Sequence, residues 1–181
     1  MFGARPIGRL GLAAALALAV SSAGSAEQVF EIDVDATVVS FDLGATLHTV
    51  HGEIPVVSGQ VRFDLERGSA SGAIVLDARG AGTDNDRRDR KMHARVLESE
   101  TYPEIVFRPE AVTGALDGHG SGSLRVEGVV ELHGGSHPVV LETAVERESG
   151  RAIGTATFRV PYVEWGLDDP STFVLRVEKE V

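Results

Sequence analysis

Two histidine pairs, His48 with His51 and His133 with His137, are the first candidates for chemistry, because imidazole serves both as a metal ligand and as a general base. Neither spacing converges on a point. Residues three apart on an extended segment point to opposite faces, and His133-Gly134-Gly135-Ser136-His137 spans a turn, not the helical i, i+4 spacing that brings two imidazoles together. The pairs read as turn and rim residues. A general base drawn from His48, His51 or His133 is the way an enzyme would be built on this chain.

Other chemistry finds less support. Asp84-Asn85-Asp86 opens like a calcium loop, but the sixth and twelfth places hold Asp89 and Arg95 where a glycine and a carboxylate are required. Gly68-Ser69 and Gly120-Ser121-Gly122 lie in polar breaks and give no nucleophile elbow. Phosphate-cradling glycine loops followed by Lys-Ser or Lys-Thr are absent. Acidic residues are too plentiful for any one pair to stand out as an acid-base couple, and the chain has no cysteine to act as nucleophile or ligand. The expectation is a protein that is not an enzyme, with no catalytic residues, no metal and no cofactor.

The N-terminus reads as a secretory leader over residues 1–26. Arg5 and Arg9 precede the uncharged apolar run Leu10 to Val20, and Ser21-Ser22-Ala23-Gly24-Ser25-Ala26 supplies small residues for cleavage. The run is shorter than the roughly 20 residues of a membrane span. The expected mature chain is therefore 27–181, periplasmic or secreted, with no stable membrane span. Its 155 residues make one domain. Loss of the two arginines takes the net charge from −10 to −12, a balance that repels phosphate backbones and excludes nucleic acid as partner.

What must position any functional residue is a set of strands. Apolar residues recur every second position in Val61, Phe63, Leu65; Ile74, Leu76; Ile105, Phe107; Leu124, Val126; Val130, Leu132; Ala156, Phe158, Val160; and Phe173, Leu175, Val177. The breaks hold turn residues: Ser58-Gly59, Arg67-Gly68-Ser69, Asp117 to Gly120, Gly134-Gly135-Ser136 and Ser149-Gly150. The pattern predicts a mainly antiparallel all-β domain, and the same residues would serve a filled sandwich or a closed barrel. One segment departs from it. Asp84 to Leu97 is highly charged and spaces Met92 and Val96 four apart, which predicts a short helix capped by Asp84 or Asp86, packing Met92 and Val96 over one end of the sheet.

That helical segment also carries a resemblance. Thr83-Asp84-Asn85-Asp86-Arg87-Arg88-Asp89-Arg90-Lys91-Met92, then Val96-Leu97, then Tyr102-Pro103-Glu104-Ile105-Val106-Phe107 resembles the Thr…Arg-Asp…Tyr-Pro-x-Ile-x-Phe pattern of the YceI family, the polyisoprenoid-binding YceI-like proteins of bacteria. Gly59 to Asp64, Leu124 to Gly134 with Pro138 to Leu141, and Trp165-Gly166-Leu167 with Val174 to Val177 resemble its other strands. One feature departs from the family, which often has a histidine shortly after its first Phe-x-(Ile/Val). Here Phe41-Asp42-Leu43 runs into Gly44-Ala45-Thr46.

The resemblance implies a lipocalin-like, extended eight-stranded antiparallel β-barrel with one short helical excursion. Its lumen would hold a long-chain isoprenoid, an isoprenoid quinone or another amphiphilic lipid for transport or storage. Residues expected to line that lumen are Phe41, Leu43, Val61, Phe63, Ile105, Phe107, Leu132, Phe158, Val160, Trp165 and Phe173. Arg88 and Asp89, adjacent on the helix and so about 100° apart around it, are expected to hold structure through different partners. A rival of another class is an enzyme using the barrel as a reaction chamber. Another is a module that binds a protein through a sheet edge, which a closed barrel would largely deny it.

Overall fold

The computed structural model describes the backbone of residues 13–20 and residues 27–45 and 49–170 in full. The chain forms β1 (Ala13–Val20), β2 (Glu27–Ile32), β3 (Val38–Gly44), β4 (Thr49–Glu53), β5 (Val56–Asp64), β6 (Ser69–Asp77), α1 (Asp86–Lys91), β7 (Glu104–Leu116), β8 (Gly122–Leu132), β9 (Gly135–Glu148) and β10 (Arg151–Ala156). All the pairings are antiparallel, in the order β10-β9-β8-β7-β6-β5-β2-β1-β3-β4, and β1 also pairs with β10. The sheet curls until its margins meet.

Ten strands here make the expected eight staves. One edge of β1 pairs first with β3 (Ala13↔Ser40) and then with β2 (Leu18↔Ile32), so β2 and β3 form a single stave interrupted by the turn at Asp33 to Thr37. In the same way β4 and β5 run end to end across Ile54-Pro55, with Pro55 O accepting from Asp77 N at 2.9 Å. The remaining staves are β6 to β10 and β1. The last of these lies in the segment that the sequence reads as a leader.

Alternation puts one face inward, and irregularities keep it there. In β8, Leu124, Val126, Gly128, Val130 and Leu132 are all buried. In β7, Pro109 faces Gly128 and Ala111 faces Glu127, so Glu110 is an extra residue. The bulge reverses the phase, and even-numbered Val112 and Leu116 join odd-numbered Ile105 and Phe107 on the inner face. β5 carries a similar irregularity between Val56 and Ser58. Ser58-Gly59, expected to be a break, lies inside β5, because Gly59 sits beneath Ile32, whose Cγ1 would be 2.3 Å from a Cβ there. The β8–β9 and β9–β10 hairpins close in two residues, His133-Gly134 and Ser149-Gly150, all four with positive φ. That is the twist-matched turn of tight hairpins.

The helical excursion is shorter than its charge pattern suggests. α1 lasts six residues and is capped by Asn85, whose side chain accepts from Arg88 N at 3.0 Å, and not by Asp84 or Asp86. Asp84 instead takes a left-handed φ of 56°, ahead of the cap. Beyond Lys91 the chain widens into a π-type turn over Met92–Val96, with Leu97 N bonded to Met92 O.

Candidate ligand-binding cavity

Inward side chains from the staves leave a cavity of about 660 Å³, within the range of small-molecule sites. Phe30, Val39, Phe63, Leu76, Phe107, Val126, Leu141 and Ala152 are part of its wall, so each stave from β2 to β10 contributes. Of the residues expected in the lumen, Phe41, Leu43, Val61, Phe63, Ile105, Phe107, Leu132, Phe158, Val160 and Trp165 line it, while Phe173 lies outside the described residues. Small residues shape the wall between the large ones. Phe41 lies over Gly52, where a Cβ would be 2.3 Å from its ring, and Phe107 lies over Gly128. Leu124, Val126 and Val130 belong to the same alternating runs and could have been included on that signal. Leu116 could not, since the bulge at Pro109 to Ala111 hides its phase.

One end is covered by the chain after β10. Phe158, Val160, Tyr162 and Leu167 pack with Ile105, Val130, Leu132 and Val139 into one apolar cluster. Trp165 stacks on His137 with ring centroids 4.2 Å apart and planes 3° apart. Burial first, and the negative charge of Asp169 second, push the Tyr162 phenol up to about 12. It is therefore a neutral, polar spot in an apolar wall at any physiological pH.

The helical segment forms another part of the rim. Met92 and Val96 face the cavity, as their spacing predicts, together with Leu97, Thr83, Asn85, Arg87, Arg88 and Lys91. Arg88 and Asp89 do not serve different partners; both close on Thr83. Arg88 Nε donates to Thr83 Oγ1 at 2.6 Å and its Nη2 to the Thr83 carbonyl, while Asp89 accepts from Thr83 N at 3.3 Å and from the Thr83 hydroxyl. Burial raises the Asp89 pKa, but the two bonds from Thr83, helped by the charges of Arg88 and His93, outweigh it and leave the carboxyl below its ordinary 3.8. Thr83 is buried and follows Gly82, which exchanges backbone hydrogen bonds with Glu53 of β4, so this knot ties the helix to a segment anchored on that strand.

The histidines fall elsewhere. His51 is exposed on β4 and hydrogen-bonds Asp42 on β3. His133 sits in the β8–β9 turn, bonded to Glu98 at 2.7 Å and against the Tyr102 ring. Neither lines the cavity, and His48 lies outside the described residues. Among the described residues no three histidines or carboxylates converge as metal ligands.

The family model of the YceI-like domain matches residues 30–181. The chain belongs to the YceI-like domain family. Among solved structures, this YceI-like domain is similar to a polyisoprenoid binding domain from Saccharophagus degradans implicated in plant cell wall breakdown, with a TM-score of 0.62 at 17% identity, covering 80% of this chain and 83% of that one. It is also similar to Burkholderia cenocepacia BcnA (TM-score 0.58, 15% identity, 71% and 81% covered) and to a Campylobacter jejuni YceI protein (0.52, 14%, 75% and 84%). No curated protein matches in sequence. At these identities the likeness is one of fold, and the lipocalin-like curled sheet of the YceI-like domain is the architecture described above.

Proposed function

We propose that this YceI-like domain is a carrier or store for a long apolar chain, a polyisoprenoid, an isoprenoid quinone or a similar amphiphile, and performs no catalysis on it. The observation that carries this reading is the continuous apolar wall of the cavity, contributed by successive staves. A chain moved from water into such a space gains about 0.8 kcal/mol per CH₂, so affinity can come from the tail with few polar contacts. The polyisoprenoid-binding name of the Saccharophagus degradans neighbour is consistent with it.

The only tryptophan of the chain lines the cavity, which makes its fluorescence a local probe. Titration with a fluorescent prenyl analogue is expected to quench Trp165 by energy transfer, saturating at one analogue per protein. Absence of transfer, with the analogue still bound, would place the ligand outside this cavity.

Export belongs to the same reading: residues 1–26 are removed and the mature domain, 27–181, acts in the periplasm or outside the cell. Cleavage after Ala26 takes β1 out of the ring and strips the partner from β10 and from the β2–β3 edge. The period-two run Phe173, Leu175, Val177, which follows Pro170, is the remaining segment with a strand pattern able to close that gap. Intact mass of protein recovered from the periplasm tests the boundary; retention of residues 1–26 would contradict it.

A further inference from the structure

The chain carries 27 acidic residues against 17 basic ones, yet among the described residues the charged ones lining the cavity are Arg87, Arg88 and Lys91, with no carboxylate. By composition alone a lining of three charges would hold more acids than bases. Arg87 and Lys91 stand four apart on α1 and so share one of its faces. Arg88 is already engaged by Thr83, and Lys91 Nζ donates to the Pro170 carbonyl at 3.1 Å, which leaves its other protons free to donate. Arg87 has no hydrogen-bond or ion-pair partner among the described residues, and no carboxylate there forms an ion pair with any of the three. Asp84, Asp86, Asp89, Asp168 and Asp169 are close in sequence to this rim but do not line the cavity; Asp89 is engaged by Thr83, and the charge of Asp169 acts on Tyr162. The Asn85 side chain, whose oxygen caps α1, keeps its amide protons for another acceptor.

We propose that the lipid held here bears an anionic head, a phosphate or a carboxylate, received at this rim by Arg87, Lys91 and Asn85 while the tail runs down the apolar wall. The inference rests on the carrier reading and adds the chemistry of the ligand's polar end. A neutral head would leave these exposed cations to water, whereas an oxyanion accepts charge-assisted bonds from both. Asn85, Arg87 and Lys91 are exposed at the rim, so added salt should weaken these contacts.

The test uses two matched pairs of ligands on the mature protein: geranylgeranyl phosphate with geranylgeraniol, and palmitate with hexadecanol. Within at least one pair the anion is expected to bind about tenfold tighter or more, the effect of one charge-assisted bond. Preference in the first pair alone assigns a phosphate head, and in the second alone a carboxylate. Arg87→Gln/Lys91→Gln should abolish the preference while keeping the affinity for the alcohol. Arg87→Gln alone, at a side chain with no described partner, should reduce it without moving the melting temperature. If the alcohols bind as tightly as the anions, or the double variant keeps the preference, the anionic head is wrong and the carrier reading stands. If no member of either pair binds, both fall.

Discussion

Along the wall, β8 turns every second side chain inward for eleven residues, whereas at the rim six helical residues and a five-residue wider turn swing Arg87, Lys91, Met92 and Val96 over the same cavity. The wall is made by a period that ignores which apolar residue stands at each place. The rim depends on individual bonds, above all those that bring Arg88 and Asp89 together on Thr83. A wall of this kind can select for length and apolarity; only the rim has the chemistry to tell one head from another.

The largest effect is expected from breaking the wall. Phe107→Asp removes a ring that packs over Gly128 and puts a carboxylate with no partner in the apolar lining. A cost of at least about 3 kcal/mol is expected from the lost ring alone, with the carboxyl held above its ordinary pKa by burial. Thermal melting and binding of the prenyl analogue should both collapse. Parent-like values for both would mean that Phe107 does not face the cavity.

Val61→Trp is the gentler test of the same region. Val61 is 1% exposed and lines the cavity, so the larger ring must take up ligand space at an overpacking cost of about 1–3 kcal/mol. The variant should fold and bind shorter analogues better than long ones. Unchanged binding of the long analogue by a folded variant would take the channel away from β5.

At the rim, Asp89→Asn should cost about 1–3 kcal/mol, because Thr83 then faces a neutral and weaker acceptor in a partly buried place. The lowered pKa adds a sign. A carboxyl that titrates below its unfolded value stabilises the fold fully at pH above that value, and the contribution is lost as pH falls through the folded one. Asp64 and Asp117 are lowered as well, Asp64 first by the Arg67 backbone and then by its guanidinium, Asp117 by the Ser121 and His119 backbone. Melting followed from pH 6 downward should therefore show stability lost below about pH 4, with a shallower loss in Asp89→Asn. If that variant kept full stability but took up no ligand, Asp89 would be a binding residue and not part of a structural knot.

The smallest effect is expected from His51→Ala, which removes an exposed side chain bonded to Asp42, away from the cavity. Stability should move within about 0.5 kcal/mol, and ligand uptake should not change. A variant that still binds lipid but no longer converts some substrate would revive the reaction-chamber reading.

The contrast also explains what could be read in advance. Alternation located Phe41, Leu43, Val61, Phe63, Ile105, Phe107 and Leu132, because a strand with one buried face writes that face into its sequence; the same period picks out Phe158 and Val160, although these lie past the end of β10 in the segment that covers one end. It lost the register at Pro109 to Ala111, where one extra residue reverses which side is inner, and it took Gly59 for a break because the side chain that needs the space, Ile32, comes from another strand. At the rim the pattern gave Met92 and Val96. It could not give Asn85 as the cap, or Thr83 as the shared partner of Arg88 and Asp89, since both depend on how the chain turns at Asp84. The cationic lining was hidden in a charged run whose acids and bases look equivalent until the helix is placed.

The most direct test of the account is the mass of what the protein holds. Native mass spectrometry of the protein purified from its producing cells without detergent, followed by extraction and identification of the released molecule, reads the cavity's content without choosing a probe. The account predicts one long-chain lipid per protein, lost from Phe107→Asp and reduced in Val61→Trp. Protein that is consistently empty, or that carries the same lipid in both variants, would contradict it.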